Sequence, residues 1–359
     1  MTSFNPVRAA YNYVVGNNDQ QNQELEEDIN KAIKYLFDEE YVSSIDEMFE
    51  EHPDEVIAAL KRRETPPLCE AVEKNLESAV STLLKIIPFE IDTPNSDGLT
   101  PSMLAAKQGS EYLVRELLSG NADMQKVDAT GCTALMWAVL SGIVELVRSL
   151  LGAGAIPSVD VQDKGGNTAL MFAVMNMKDH TRGSEGLESS ISLIYELLNN
   201  AKANVTLTNK DGDTALGLMA SQPAFNRSIA HRLYNEGTDL SAQNHEGLTP
   251  IALASRSGNT EAVRFLIEYM KEENIDIDMK DKQGRTALFH AISSNNRETV
   301  KELRDAGARP YSMDIALVGQ LLDLDSLDGE MLKLAGLNIE QKEKPVNVPQ
   351  ASSIDVQKT

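Results

Sequence analysis

An all-α solenoid of helix pairs, joined by short hairpin turns and closed by a helical cap at either end, is the fold class that three features of this sequence predict. A glycine precedes a threonine by two residues at a repeating interval, at Gly98/Thr100, Gly131/Thr133, Gly166/Thr168, Gly212/Thr214, Gly247/Thr249 and Gly284/Thr286. Successive threonines lie 33, 35, 46, 35 and 37 residues apart, the spacing of supersecondary units stacked along one axis. The residues on either side of each threonine also repeat by type, so one local chemistry recurs in every copy.

Within a copy the elements follow in a fixed order. Five residues before the threonine stands Asn95, Asp128, Asp163, Asn209, Asn244 or Asp281, a side chain able to close an Asx turn onto its own backbone. The glycine three residues later permits a turn conformation that a Cβ would oppose. The threonine, followed by Pro101, Ala134, Ala169, Ala215, Pro250 or Ala287, is predicted to be the N-cap of a first helix. Ala105, Ala138, Ala173, Ala254 and Ala291 then leave room for a neighbouring helix. A second amphipathic run follows, as at 111–118, 144–151, 191–198 and 261–267, and completes a turn, helix, helix unit.

These offsets resemble the ankyrin repeat, whose T-P-L-H-x-A signature is approached by T-P-S-M-L-A at 100–105, T-A-L-M-W-A at 133–138 and T-P-I-A-L-A at 249–254. The resemblance covers residues 64–309, with six clear copies and a degenerate one beginning near Thr65. It departs from the family at the histidine slot, held by Met103, Met136, Met171, Gly217, Ala252 and Phe289, so the interfaces are expected to lean on apolar packing. The fourth clear copy strays further, with Met219 for its alanine and Pro223 in its inter-helix turn. The asparagine that ankyrin proteins often have hydroxylated, eight residues before the threonine, is replaced by Asp92, Gln125, Asp160, Thr206, Ser241 and Asp278, so that modification is not expected at this slot.

Outside the repeats, residues 1–21 are polar and expected to be flexible, and 22–63 form an acidic helical cap. Ile29, Ile33 and Leu36 share one face there, Ile45, Met48 and Phe49 another, and His52-Pro53-Asp54 marks a break. Residues 1–63 hold 14 acidic and 6 basic side chains, which fits a solvated cap or a partner-binding helical module. The 46-residue step comes from a charged insertion at 177–190, expected to be a surface loop. Residues 310–340, with apolar runs at 313–322 and 330–337, are expected to cap the C-terminal side, and 341–359 to be a disordered tail.

The net charge of −22 disfavours nucleic acid and anionic membranes as partners and favours a protein with a basic surface. Cys69 and Cys132 are the only cysteines, a usage that suits a reducing cytoplasm. No apolar run is long enough to span a bilayer and no secretory leader is evident. No catalytic residue, cofactor site or metal site is expected: the five histidines are scattered, and the acidic run at 323–329 lacks the ligand order of a calcium loop.

The expected function is therefore non-enzymatic protein binding, as a scaffold or interaction module. A regulatory or targeting subunit of an enzyme, or a cryptic enzyme with its site in the terminal helical segments, is the alternative. The chain also resembles the ankyrin-repeat effectors that intracellular bacteria deliver into host cells, which would place it in a host cytoplasm; a eukaryotic scaffold is the other reading. In ankyrin-like stacks the residue before each threonine faces the groove, which implies a partner-binding role for Leu99, Cys132, Asn167, Asp213, Leu248 and Arg285. Four residues past the threonine, Trp137, Phe172 and His290 border that groove, and large aromatics dominate binding hot spots.

Overall fold

The structure, a computed structural model, describes residues 6–38, 42–179 and 185–309. The two C-terminal segments expected at 310–340 and 341–359 lie outside the described residues.

The N-terminal region comprises α1 (Pro6–Phe37), α2 (Val42–Glu51) and α3 (Pro53–Lys61). Helix α1 packs on both α2 and α3, burying Ile29, Ile33 and Leu36, and α2 in turn packs on α5 (Glu77–Ile86). The expected break falls at His52, with Pro53 starting α3, a position where its missing N–H costs nothing. Residues 6–21, within the lead expected to be flexible, are helical as the start of α1. Pro6 sits at the start of the helix and no further proline interrupts it, so nothing in the local chemistry stops a helix that buried residues anchor downstream.

The chain divides into two compact units, Met1–Ala215 with His231–Thr238, and Leu216–Ala230 with Asp239–Thr359. The division falls in the fourth clear copy, α12 (Ala215–Ala220) and α13 (Arg227–Asn235), which is also the most irregular in sequence. In the first unit the pairs are α4 (Pro67–Glu73) with α5, α6 (Pro101–Gln108) with α7 (Glu111–Ser119), α8 (Ala134–Ser141) with α9 (Val144–Leu150), and α10 (Ala169–Met175) with α11 (Glu185–Asn199). First helices stack in the order α4, α6, α8, α10 and second helices in the order α5, α7, α9, α11. The degenerate copy is capped by Pro66 rather than Thr65, with no side-chain cap, which fixes its register. In the second unit α14 (Pro250–Ser257) with α15 (Thr260–Glu272) stacks on α16 (Ala287–Ser293) with α17 (Arg297–Asp305). Among the described residues the only β element is an isolated bridge between Thr208 and Thr214.

The turns follow the expected chemistry. All six repeat glycines have φ between 77° and 86°, and Thr100, Thr133, Thr168, Thr249 and Thr286 each accept a hydrogen bond from the backbone three residues on. In the histidine slot Met103, Met136, Met171, Ala252 and Phe289 are buried, as the apolar reading requires. Polar ties between copies nevertheless exist, supplied from other positions. Gln108 donates to the Glu73 carbonyl, Asn176 to Val139, Asn259 to Gln222 and Asn296 to Gly258.

The 177–190 insertion, expected to be a surface loop, is helical where it is described: 177–179 close a 3-10 turn and 185–190 open α11. Met177, Leu187 and Ser190 are buried, and α11 begins at Glu185. Six of the fourteen residues at 177–190 thus lengthen a second helix, because Leu187 falls in register with the apolar face that continues through Leu193, Ile194 and Leu197.

Candidate functional site

The row of residues before each threonine is built by one hydrogen-bond pattern. The Asx Oδ1 accepts the N–H groups two and four residues on, as in Asn95 with Asp97 and Leu99, Asp128 with Thr130 and Cys132, and Asp281 with Gln283 and Arg285. The Asx N–H in turn donates to the carbonyl four residues on, for example Asp128 to Cys132 and Asp281 to Arg285. Adjacent turns are tied as well: the Lys164 N–H donates to Thr130, Lys210 to Gly165 and Lys282 to Glu246. Gln162 spans two copies, donating to the carbonyls of Gly166 and Thr208, and Gln243 does the same with Gly247 and Lys280. These glutamines escaped the sequence reading. Their signal was a recurrence at six residues before the threonine in only two copies.

With the backbone of the row fixed, the side chains divide by burial. Leu99, Cys132, Leu248 and His290 are buried, so the picture of a whole row open to a partner requires correction at these four. Leu99 and Leu248 are enclosed as apolar side chains, and Cys132 joins them as a small hydrophobe. Asn167, Phe172, Trp137 and Asp213 in the first unit, and Arg285 in the second, are half-buried.

Two of the residues four past the threonine reach back to the carboxylate of their own turn. Trp137 donates its indole N–H to Asp128 Oδ2 at 2.9 Å, and His290 Nε2 lies 3.0 Å from Asp281 Oδ2. Arg285 Nε also reaches Asp281 Oδ2, at 2.7 Å. Burial works to raise both carboxyls, but the hydrogen bonds from Thr130, Cys132 and Trp137 hold Asp128 below its usual range, and those from Arg285 and His290 do the same for Asp281. Above the Trp137 ring stands the Lys107 ammonium, 4.9 Å from the centroid.

Both thiols are buried. Burial, with the Glu73 charge adding to it, pushes Cys69 up to about 12, and burial raises Cys132 as well. Among the described residues no group of three His, Cys, Asp or Glu could hold a metal ion, and no helix is long and apolar enough to cross a membrane.

The Asp slot eight residues before the threonine has a structural use. Asp92 accepts the Asp123 N–H, Asp160 accepts that of Asn204, and Asp278 accepts both the N–H and the Nε of Arg309. Asp92 and Asp160 are thereby joined to the start of the following copy, and Asp278 to the end of its own.

Stacked helix pairs, each opened by an Asx turn and linked to the next through backbone ties, define a repeat scaffold of the protein-binding class. The chain belongs to the ankyrin-repeat family: the family described as "Ankyrin repeats (3 copies)" matches residues 68–160, 103–183 and 218–314. It is similar to the ankyrin repeat and KH domain-containing protein mask-1 of Caenorhabditis elegans, 27% identical over 247 residues, which is 68% of this chain and 9% of that protein. It is also similar to the B-cell lymphoma 3 protein homolog of Mus musculus, 29% identical over 201 residues, 54% of this chain and 41% of that protein. The chain thus spans less than half the length of these relatives. Among solved structures, the ankyrin repeat domain of Bcl-3 superposes with a TM-score of 0.52 at 23% identity, covering 66% of this chain and 97% of that one, a likeness of fold. Fold and family together give the repeat region the generic protein-binding role of ankyrin-repeat domains.

Proposed function

We propose that the chain binds a protein with a basic surface, anchored in the first unit by Trp137 and Phe172, with Asn167 and Asp213 beside them as polar contacts. The observation that carries this reading is Trp137. Its polar edge is satisfied by Asp128, yet the ring stays half-exposed, so it is held rigid at the surface with no donor left to pair. A pre-ordered aromatic of this kind loses little entropy on binding. Its face already attracts the Lys107 ammonium, and a partner's lysine or arginine offers the same interaction. The charge of −22 speeds the encounter with such a partner. A reducing cytoplasm suits the two unpaired, buried thiols.

Affinity capture from a cytosolic extract with wild-type, Trp137→Ala and Phe172→Ala chains, followed by calorimetry on the captured partner, tests the proposal. Trp137→Ala is expected to weaken binding by roughly 2 kcal/mol while the helical signal and melting cooperativity persist. Loss of stability without a separable loss of binding would make Trp137 part of the framework alone.

A further inference from the structure

The N-terminal helices carry a surface that the repeats do not use. Helices α1 and α2 pack together and leave between them a groove of about 390 Å³. Its walls are helical rows: Asp28, Ala32 and Tyr35 on α1, and Glu47, Met48 and Glu51 on α2, at the three- and four-residue steps that put side chains on one face. Ala32 is buried and Tyr35 and Met48 are half-buried, so the floor is apolar, whereas the carboxylates are exposed along the rim. Glu50 adds a fourth carboxylate and Lys31 the rim's one cation. None of the four carboxylates is in an ion pair among the described residues.

A second groove of similar size, about 410 Å³, flanks α1 on its α3 side. There Arg62 pairs with Glu26 at 2.6 Å, so that rim partly neutralises itself. The two grooves share a size and a helix but differ in charge balance.

We infer that the α1–α2 groove docks an amphipathic helix of a partner protein, its apolar side chains on Ala32, Tyr35 and Met48 and its lysines or arginines against the four carboxylates. Complementarity of charge selects this occupant, since a second copy of a chain with net charge −22 meets repulsion at an acidic rim. Met48 suits the task, because its flexible thioether adapts to the side chain laid against it. At the usual rise the α1 row spans about 10 Å along its helix and the α2 row about 6 Å, enough for one to two turns of the incoming helix. This site is independent of the Trp137 surface.

The test uses the full chain and a fluorescein-labelled peptide of ~14 residues, leucine and lysine patterned as an amphipathic helix, read by anisotropy. The patterned peptide is expected to bind at least about tenfold more tightly than a scrambled peptide of the same composition, and Glu47→Gln/Glu51→Gln to weaken it about tenfold. Glu26→Gln/Glu55→Gln, in the other groove, is expected to leave binding unchanged, with circular dichroism confirming equal helix content in all variants. Absence of binding, equal binding of the scrambled peptide, or equal loss in both double variants would overturn the proposal. So would photo-crosslinking from a photoreactive methionine at Met48 to residues 310–359 of the same chain, or to a second copy, in the absence of peptide.

Discussion

In the second clear copy the residue four past the threonine is Trp137, and in the sixth it is His290; both reach back nine positions to the carboxylate that anchors their own turn. The geometry is shared and the consequences differ. Trp137 offers one N–H that never titrates, and it remains half-exposed. His290 is buried, edge-on to Phe289 with ring centroids 5.7 Å apart, and burial holds its imidazole below the usual histidine range, with Arg285 pushing the same way against the pull of Asp281. A single framework position therefore serves as a rigid surface aromatic in one copy and as a buried titratable group in another. Leucine at the same position, as in Leu104, Leu218 and Leu253, does neither.

Four experiments bear on this contrast, in order of expected effect. Both reach-back contacts presuppose an intact turn, and the turn glycine is the most sensitive residue in it. A Cβ at Gly131 would come within 2.8 Å of the Lys164 nitrogen, whereas Gly142, also at positive φ, has nothing within 4 Å. Gly142→Ala is expected to cost about 1 kcal/mol and Gly131→Ala roughly 2–3 kcal/mol in denaturant unfolding. Equal losses would mean that the next copy's approach plays no part.

The second experiment separates the copies by pH. With the His290 pKa lowered in the folded state, the unfolded chain takes up a proton first as pH falls through about 6.5. Stability is thus fully present above that value and declines as pH drops towards the folded pKa. His290→Leu is expected to flatten this part of the melting-temperature profile, and Trp137→Phe to leave it unaltered. A profile identical in His290→Leu would remove the titration from the account. Further acidification protonates Asp128 and Asp281, whose lowered pKa values make their stabilisation disappear as pH falls below the ordinary carboxylate range.

Third, Trp137→Phe deletes the indole donor and keeps most of the ring, so a loss of about 1 kcal/mol is expected, the same at pH 6 and pH 8. Fourth, Gln162→Ala removes the bridge to Thr208, and because the freed carbonyls stay open to water the loss should stay below about 1 kcal/mol. A larger value would make the glutamine bridge, rather than the helix stack, a main source of coupling between neighbouring copies.

The turns were legible in the sequence because their chemistry is local: an Asx side chain, a glycine at positive φ and a capping threonine act within five residues of one another. The helix pairs followed from the spacing. Burial of Leu99, Cys132 and Leu248 was not legible, since whether a residue before the threonine faces solvent depends on the neighbouring copy and not on its own turn. The same holds for Leu187, whose burial required knowing that α11 extends upstream into the insertion. The ties made by Gln108, Asn176, Asn259 and Asn296 link residues 35 to 38 positions apart. No local pattern encodes them. For the candidate site, Trp137 and Phe172 stood out as large aromatics, but nothing near Trp137 in sequence announced that Asp128 would hold its edge.

The ties between copies also have a direction. Asp123 donates to Asp92, Lys164 to Thr130, Asn204 to Asp160, Asn259 to Gln222, and Lys282 to Glu246: in these the later copy brings the donor and the earlier one holds the acceptor, while Gln162, Gln243, Ser81, Arg148, Arg227 and Arg264 run the other way. A ribosome releases the earlier copies first. Each newly emerged copy thus presents mainly carbonyls and carboxylates, groups that water hydrates readily while they wait, and the next copy arrives carrying the hydrogens that fit them. For most of the backbone ties, then, the acceptor is synthesised before its donor.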